Sequence, residues 1–168
     1  MKIKKFHIIR ALPGSGKSEL ARDLETGNDA VIISLDKLRT QPNGTYEYDA
    51  LKVKDLVIQM DRQIIEALQN EVPMIILDNT HHLKDIVLKY KSLALHYGYW
   101  VTIIEIPHED PKILAARNTH GITEQRIRKF ITRWESVGYD LPFQRMLRKV
   151  KHFLRPWKRK TILPVTEK

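Results

Sequence analysis

Residues 8–24 read Ile-Ile-Arg-Ala11-Leu-Pro-Gly-Ser-Gly-Lys17-Ser18-Glu-Leu-Ala-Arg-Asp-Leu24, and they decide the fold. An apolar run over residues 3–12 leads into Pro13-Gly14; helix formers over residues 15–24 follow at once and stop at Thr26-Gly27. A buried strand that turns through glycines into a helix lets backbone N–H groups converge on phosphate oxygens, and the positive end of the helix adds to their pull. The loop fits G-x-x-x-x-G-K-[ST] everywhere except its first position, where Ala11 replaces Gly; the cradle itself runs through Pro13, Gly14, Ser15, Gly16, Lys17 and Ser18. In such a loop Lys17 reaches the β- and γ-phosphates of a nucleotide, and the Ser18 hydroxyl ligates Mg²⁺. A glycine-rich turn with a chance lysine is the alternative, and the strand before it and helix after it argue against that.

Outward from the loop, strand and helix signals alternate. Residues 30–35 form a compact β-branched run bounded by Asn28-Asp29 and Asp36. Pro42-Asn43-Gly44 marks a turn within the polar stretch 40–48, and residues 49–70 carry an apolar helical stripe. Residues 74–77 predict a buried strand, 84–97 a helix stopped by Gly98, and 99–106 a strand ended by Pro107. Asp110-Pro111 opens a short helix to Asn118, and Thr123 caps another that runs to Trp134. This alternation predicts parallel βαβ units with right-handed crossovers. The expected architecture is α/β in three layers: a mainly parallel sheet flanked by helices, with a small helical lid.

Composition narrows the chemistry. With no cysteine in 168 residues, disulfides, thiolate nucleophiles and cysteine-based zinc sites are excluded. A hydrophobic fraction of 42% beside 29% charged residues belongs to a globular chain, not a disordered one. The apolar run near the start is short and broken by His7 and Arg10, without a signal cleavage pattern. No stretch approaches the roughly 20 apolar residues of a membrane span, so a cytoplasmic protein is expected. The net charge of +9 is unevenly placed: residues 141–168 hold nine of the 29 basic residues and a single acid, Glu167. A near-neutral domain over residues 1–140 and a basic extension over 141–168 are therefore expected. The tail predicts one weakly periodic amphipathic helix before Pro156. Its basic residues from Arg145 to Lys160, with Phe153 and Trp157 interleaved, suit phosphate-backbone contact and base stacking. They suit an anionic membrane surface, an acidic partner protein or simple solubility as well.

A phosphate loop alone leaves kinases, GTPases, motors and transport ATPases open. The Asn-Lys-x-Asp motif by which GTPases read their base is missing, and the chain is too short for a ring ATPase with its helical domain. Ser34-Leu-Asp36-Lys-Leu-Arg39 lies at the carboxyl end of the second predicted strand, the edge at which parallel sheets bind ligands. Asp36 there suits a general base that takes a hydroxyl proton as that oxygen attacks the γ-phosphorus, and Arg39 suits a fork on an anionic substrate group. A helix-capping Asp followed by solvated charges would look the same. Asp78, after Met-Ile-Ile-Leu, stands where a carboxylate holds Mg²⁺; turn chemistry would also explain Asp78-Asn79-Thr80. His81 and His82 are adjacent, and neighbours in a turn rarely chelate one ion, so polar surface or substrate contact is expected. Arg117, at the turn Asn118-Thr-His120-Gly121, is the lid candidate, able to set a guanidinium against phosphate charge. Arg128 and Arg133 read as exposed helix charges, with Ile127, Phe130, Ile131 and Trp134 facing inward.

In this order the blocks resemble the polynucleotide kinase type of P-loop kinase, as in phage polynucleotide 5′-hydroxyl kinases and their small cellular relatives. LPGSGKS, SLDKLR, IILDNTH and ARNTHGIT match in sequence, the last ahead of a helix ending in RWE, and HYGYWVTIIEIP resembles the strand between the last two. The likeness covers residues 3–135 and leaves the basic tail outside. It implies a P-loop kinase fold, ATP and Mg²⁺ as cofactors, and transfer of the γ-phosphate to the 5′-hydroxyl of a DNA or RNA end. It implies Asp36 as the general base, Arg39 on the phosphate next to the accepting nucleoside, and Lys17 and Ser18 on ATP and Mg²⁺. Asp78, Asn79 and Thr80 would line the acceptor site, and Arg117 would be the lid arginine on the ATP phosphates. Three departures stand out: Lys37 where an acid often follows the base, His81 in place of Asn, and a lid too short for an evident second arginine. Two other readings stay open, a small-molecule kinase for a nucleoside, sugar or antibiotic, and a non-catalytic, nucleotide-dependent RNA-binding module.

Overall fold

The computed structural model describes residues 3–137. Four strands, β1 (Lys5–Arg10), β2 (Ala30–Ile33), β3 (Met74–Asn79) and β4 (Trp100–Glu105), form one all-parallel sheet in the order β2-β3-β1-β4. Successive side chains on a strand point to opposite faces, and each face is apolar here. Ile9, Ile32 and Ile76 pack with Ala21 of α1 (Lys17–Glu25) on one side. Phe6, Ile8, Ile75 and Leu77 pack on the other, against Ile64 and Leu68 of α3 (Val53–Gln69) and Val87 and Tyr90 of α4 (Lys84–His96). A strand with two covered faces reads as a continuous apolar run, which is why these strands show in the sequence. The three predicted layers are present.

The remaining helices sit at the carboxyl edge of the sheet. The five-residue α2 (Leu35–Arg39) follows β2 directly. Helices α5 (Pro111–Arg117) and α6 (Glu124–Thr132) bury Leu114 and Ile127 with Leu12 of the phosphate loop, making the small lid. Their predicted caps are in place: Asp110 accepts from the Lys112 N–H and Thr123 from the Arg126 N–H. Among the described residues no helix is long and apolar enough to cross a membrane. The basic extension over 141–168, with its predicted helix, lies outside the described residues.

Two boundaries differ from the sequence reading, and both differences shape the site. The second strand ends at Ile33, because the Ser34 side chain accepts the Lys37 N–H and starts α2. Asp36 therefore sits in the first turn of a helix, not at a strand end. The third strand continues through Asp78 and Asn79, because parallel pairing places them opposite Ile9 and Arg10. Those two residues are thus strand residues and not a turn.

Arg10 ends the central strand and is 0% exposed. Its guanidinium donates from Nε to the His81 carbonyl (3.0 Å), from Nη2 to the Glu135 carbonyl (2.7 Å), and from Nη1 to the Glu105 carboxylate. The Trp134 ring lies 4.7 Å from the guanidinium carbon, and Trp134 Nε1 donates to the other Glu105 oxygen at 3.0 Å. Burial works against the charge on Arg10, and Glu105 supports it. One buried cation thus ties the ends of β1, β3 and β4 to the chain leaving α6. Hydrogen bonds to a charged donor are each worth about 1.5–3 kcal/mol. Arg10→Ala also opens a cavity, so a loss of about 3 kcal/mol is expected in urea unfolding, with a red shift of tryptophan emission as Trp134 loses its partner.

Candidate active site

The phosphate loop takes its shape from two glycines. Gly14 and Gly16 both have φ of 80°, in the left-handed region. At Gly14 there is no alternative, since a Cβ would collide with the Leu114 carbonyl oxygen of α5. Ser15 folds back on the loop, its hydroxyl donating to the Leu12 carbonyl at 2.7 Å. Gly16 is the N-cap of α1, so the free N–H groups of that helix open into the loop beside Lys17, whose side chain is buried. Ala11, the departure from the motif, is fully buried beneath it.

Behind the loop the Ser18 hydroxyl donates to Asp78 Oδ2 at 2.6 Å, while Asp78 Oδ1 is buried without a partner. A hydroxyl and a carboxylate with a spare buried oxygen are the hard oxygen donors that Mg²⁺ takes when the other ligands are phosphates and water. The residues fit that ion. Asn79 faces the opposite side of the sheet: its Oδ1 accepts from the Leu35 N–H at 2.9 Å and its amide lies 3.4 Å from the Met60 sulfur. Its carboxamide therefore fixes the start of α2. Asn79 also lines the cleft, where a substrate contact was expected of it. Thr80 follows it into the wall of the cleft.

Asp36 and Arg39 are one helical turn apart and meet, with Arg39 Nη1 at 3.3 Å from Asp36 Oδ1. Tyr46 and Tyr48, which drew no attention in the sequence, and His120 of the lid turn complete this half of the site. Chain 40–46 doubles back through the Pro42-Asn43-Gly44 turn, and the bridge between Thr40 and Tyr46 brings the Tyr46 hydroxyl to Asp36 Oδ1 at 3.2 Å. Burial, with Asp36 beside it, holds the Tyr46 phenol above its ordinary pKa, so it remains a donor. Tyr48 lies under Arg39, 5.2 Å from ring centre to guanidinium carbon. His120, from the lid, brings Nε2 to 3.7 Å from Asp36 Oδ2 and stacks on Tyr46. Their only sequence signal was two tyrosines in an otherwise polar turn segment.

The phosphate loop, Asp36, Arg39 and the lid turn line a single cleft of about 1180 Å³. Arg117 stands at its mouth, with 54% of its side chain exposed, paired through Nη1 with both carboxylate oxygens of Glu109 at 3.0 and 2.9 Å. An exposed pair of this kind contributes no more than about 1 kcal/mol, so little energy holds Arg117 to Glu109. Arg126, in the first turns of α6, also lines the cleft, over the Phe130 ring. It is the one of the three α6-side arginines, Arg126, Arg128 and Arg133, that reaches the cleft lining. Arg128 pairs with Glu124 one turn back, as an exposed helix charge does.

His81 and His82 pack against different rings, Tyr90 and Phe130. His81 is buried, with a φ of 47°. Its Nδ1 lies 3.0 Å from the Ile9 carbonyl, which can only accept, so Nδ1 carries the proton. Burial lowers its pKa to about 4, and the ring is neutral.

A phosphate loop closing the central strand of a parallel sheet, a strand-end carboxylate on its serine, and a helical lid against the loop define the P-loop kinase fold. The model of the AAA domain family AAA_33 matches residues 7–134, and the chain belongs to that family. It is 32% identical over 133 residues to NEDD4-binding protein 2 of Homo sapiens, an alignment covering 76% of this chain and 7% of that protein. A chain of the Pnkp1/Rnl/Hen1 RNA repair complex superposes with a TM-score of 0.64 at 17% identity, covering 85% of this chain and 48% of that one. The APS kinase CysC of Mycobacterium tuberculosis, in complex with AMPPNP and APS, superposes with a TM-score of 0.53 at 14% identity, covering 92% and 99%. These two structural likenesses are of fold. The chain thus spans less than half the length of the human relative and of the repair-complex chain.

The neutral His81 sets a pH dependence. Unfolding restores an ordinary pKa of 6.5, so below that pH the unfolded chain binds a proton that the folded chain refuses until about pH 4. Stability should therefore be fully present above pH 6.5 and fall between 6.5 and 4, by up to about 1.4 kcal/mol per pH unit. In His81→Asn, which keeps an N–H donor near the Ile9 carbonyl, urea midpoints measured across this window should fall less steeply than in the parent protein.

Proposed function

We propose that the protein is an ATP-dependent kinase that transfers the γ-phosphate to the 5′-hydroxyl of a nucleic acid end. One observation carries this: Asp36 and its arginine, Arg39, share a cleft with the phosphate loop, whose Ser18 bonds to Asp78 in a smaller pocket that Asp36 also lines. A carboxylate there has a hydroxyl to deprotonate, and the arginine has an anion to hold. The likeness to the repair-complex fold supports the choice of acceptor.

In this reading Gly14 to Ser18 cradle the phosphates of ATP, and Lys17 neutralises charge on the β- and γ-groups. Ser18 and Asp78 would hold Mg²⁺, which would supply positive charge for the transfer. Asp36 accepts the proton of the acceptor hydroxyl as its oxygen bonds to the γ-phosphorus and the bond from that phosphorus to ADP breaks. Tyr46 and Arg39 fix the carboxylate's rotamer before the acceptor arrives. Arg39 holds the phosphate that follows the accepting nucleoside. Arg117, released from Glu109, and Arg126 meet the transferring charge from the lid, so Asp36, Lys17 and Arg117 form the catalytic set. The basic tail adds contact with the phosphate backbone.

The test is a panel of acceptors offered to one preparation with ATP and Mg²⁺: 5′-hydroxyl DNA and RNA oligonucleotides, nucleosides and sugars. Phosphate transfer to the oligonucleotides is expected. Transfer to the small molecules alone would establish a small-molecule kinase, and salt-sensitive RNA binding with no transfer a binding module. Asp36→Asn should lower kcat at least ~100-fold while leaving binding of a non-hydrolysable ATP analogue intact; full activity in that variant would sink the assignment of the base.

A further inference from the structure

The rings of Tyr46 and His120 lie face to face, 4.1 Å between centroids and 23° from parallel. They come from opposite walls of the cleft, Tyr46 from the turn after α2 and His120 from the lid between α5 and α6. Both also touch the same carboxylate: the Tyr46 hydroxyl reaches Asp36 Oδ1 and His120 Nε2 approaches Asp36 Oδ2. A hydroxyl that reaches Asp36 from this cleft meets the two rings at the carboxylate. The place beside Asp36 is therefore occupied by a flat heteroaromatic ring, at the distance and tilt of a stacked base.

The two rings are not held alike. Tyr46 is fixed by its hydroxyl, which meets both Asp36 and Arg39 Nη1, and by the backbone bridge to Thr40. The His120 side chain has only the stack and the long contact to Asp36, and its neighbour Gly121 has a φ of 66° with open space where a side chain would be. Tyr46 is built as a platform, and His120 rests on it.

We propose that Tyr46 is the stacking platform for the terminal nucleobase of the acceptor strand, and that His120 fills this place until the acceptor displaces it. This rests on the polynucleotide kinase reading and deepens it. Stacking accepts any base but requires one. The site would then be indifferent to the identity of the first base and intolerant of its absence. Arg39, with Tyr48 beneath it and a buried Nε without a partner, lies one helical turn from Asp36 to take the adjoining phosphate.

The test compares two 5′-hydroxyl oligonucleotides with the full chain, identical except that one carries an abasic first nucleotide. The parent protein should use the abasic strand roughly 5- to 150-fold less well in kcat/KM, with the loss mainly in KM. Tyr46→Ala should erase that difference while its KM for ATP stays that of the parent. Tyr46→Phe should keep the difference, since the ring remains, and lower kcat through the lost bond to Asp36. His120→Ala should lower KM for the normal strand. Equal use of both strands by the parent protein overturns the stacking assignment and leaves the kinase reading standing; this comparison decides even if Tyr46→Ala does not fold. Full discrimination in a folded Tyr46→Ala also overturns it. Transfer to neither strand overturns the kinase reading, and the platform with it.

Discussion

A guanidinium cut off from water is tolerated only if nearly every N–H it carries finds an acceptor, and Arg10 meets that condition by drawing three strand ends and the lid to itself. The residue after it is Ala11, where the phosphate loop begins. The loop therefore starts from a point that cannot shift without unpairing a buried charge. The His81 carbonyl, held by the same cation, sets where β3 turns into α4, and the Glu135 carbonyl sets where the chain leaves α6. Glu105 and Trp134 complete an arrangement in which each partner is oriented by another. The cleft inherits its dimensions from this knot, not from the loops that line it.

The two halves of the cleft are built differently. The nucleotide half is backbone: positive-φ glycines, a helix terminus and a helix carbonyl packed so close that no side chain fits. The other half is side chains on side chains, with Asp36, Arg39, Tyr46 and His120 touching one another and little else. Backbone geometry suits a group as constant as a triphosphate. A side-chain cage suits a group whose size and shape vary.

The elements were legible because local patterns are strong where burial is two-sided. The apolar runs around Ile8, Ile32 and Ile76 read as buried strands, and glycine or proline marked the ends of α1 and α4 and the start of α5. The phosphate loop was legible because its chemistry is contiguous in the chain. Asp36 and Arg39 were found, yet Asp36 was assigned to a strand end. Ser34 can as readily continue a strand as cap a helix, and only the bond from its side chain to the Lys37 N–H decides. Arg117 was found by position, but its pairing with Glu109, eight residues away, has no local signature. Arg10 and Tyr46 went unnoticed for the same reason. Their partners lie up to 125 residues away, and a lone arginine at a strand end looks like an interruption of the strand. Asn79 was read together with its neighbour Asp78, and it does line the cleft, while the bond from the Leu35 N–H to its side chain has no local signature.

That neighbour relation has a consequence for the reaction coordinate. Asp78 and Asn79 are consecutive on β3, so one faces α1 and Ser18 while the other faces α2 and the helix that bears Asp36. In the proposed reading, one peptide unit thus carries the residue that would ligate the cation on one side and the anchor of the helix bearing the proposed base on the other. The separation of those two anchors is gauged by the pleat of a single buried strand. Loops and lid can open and close around the cleft, and that gauge length stays the same.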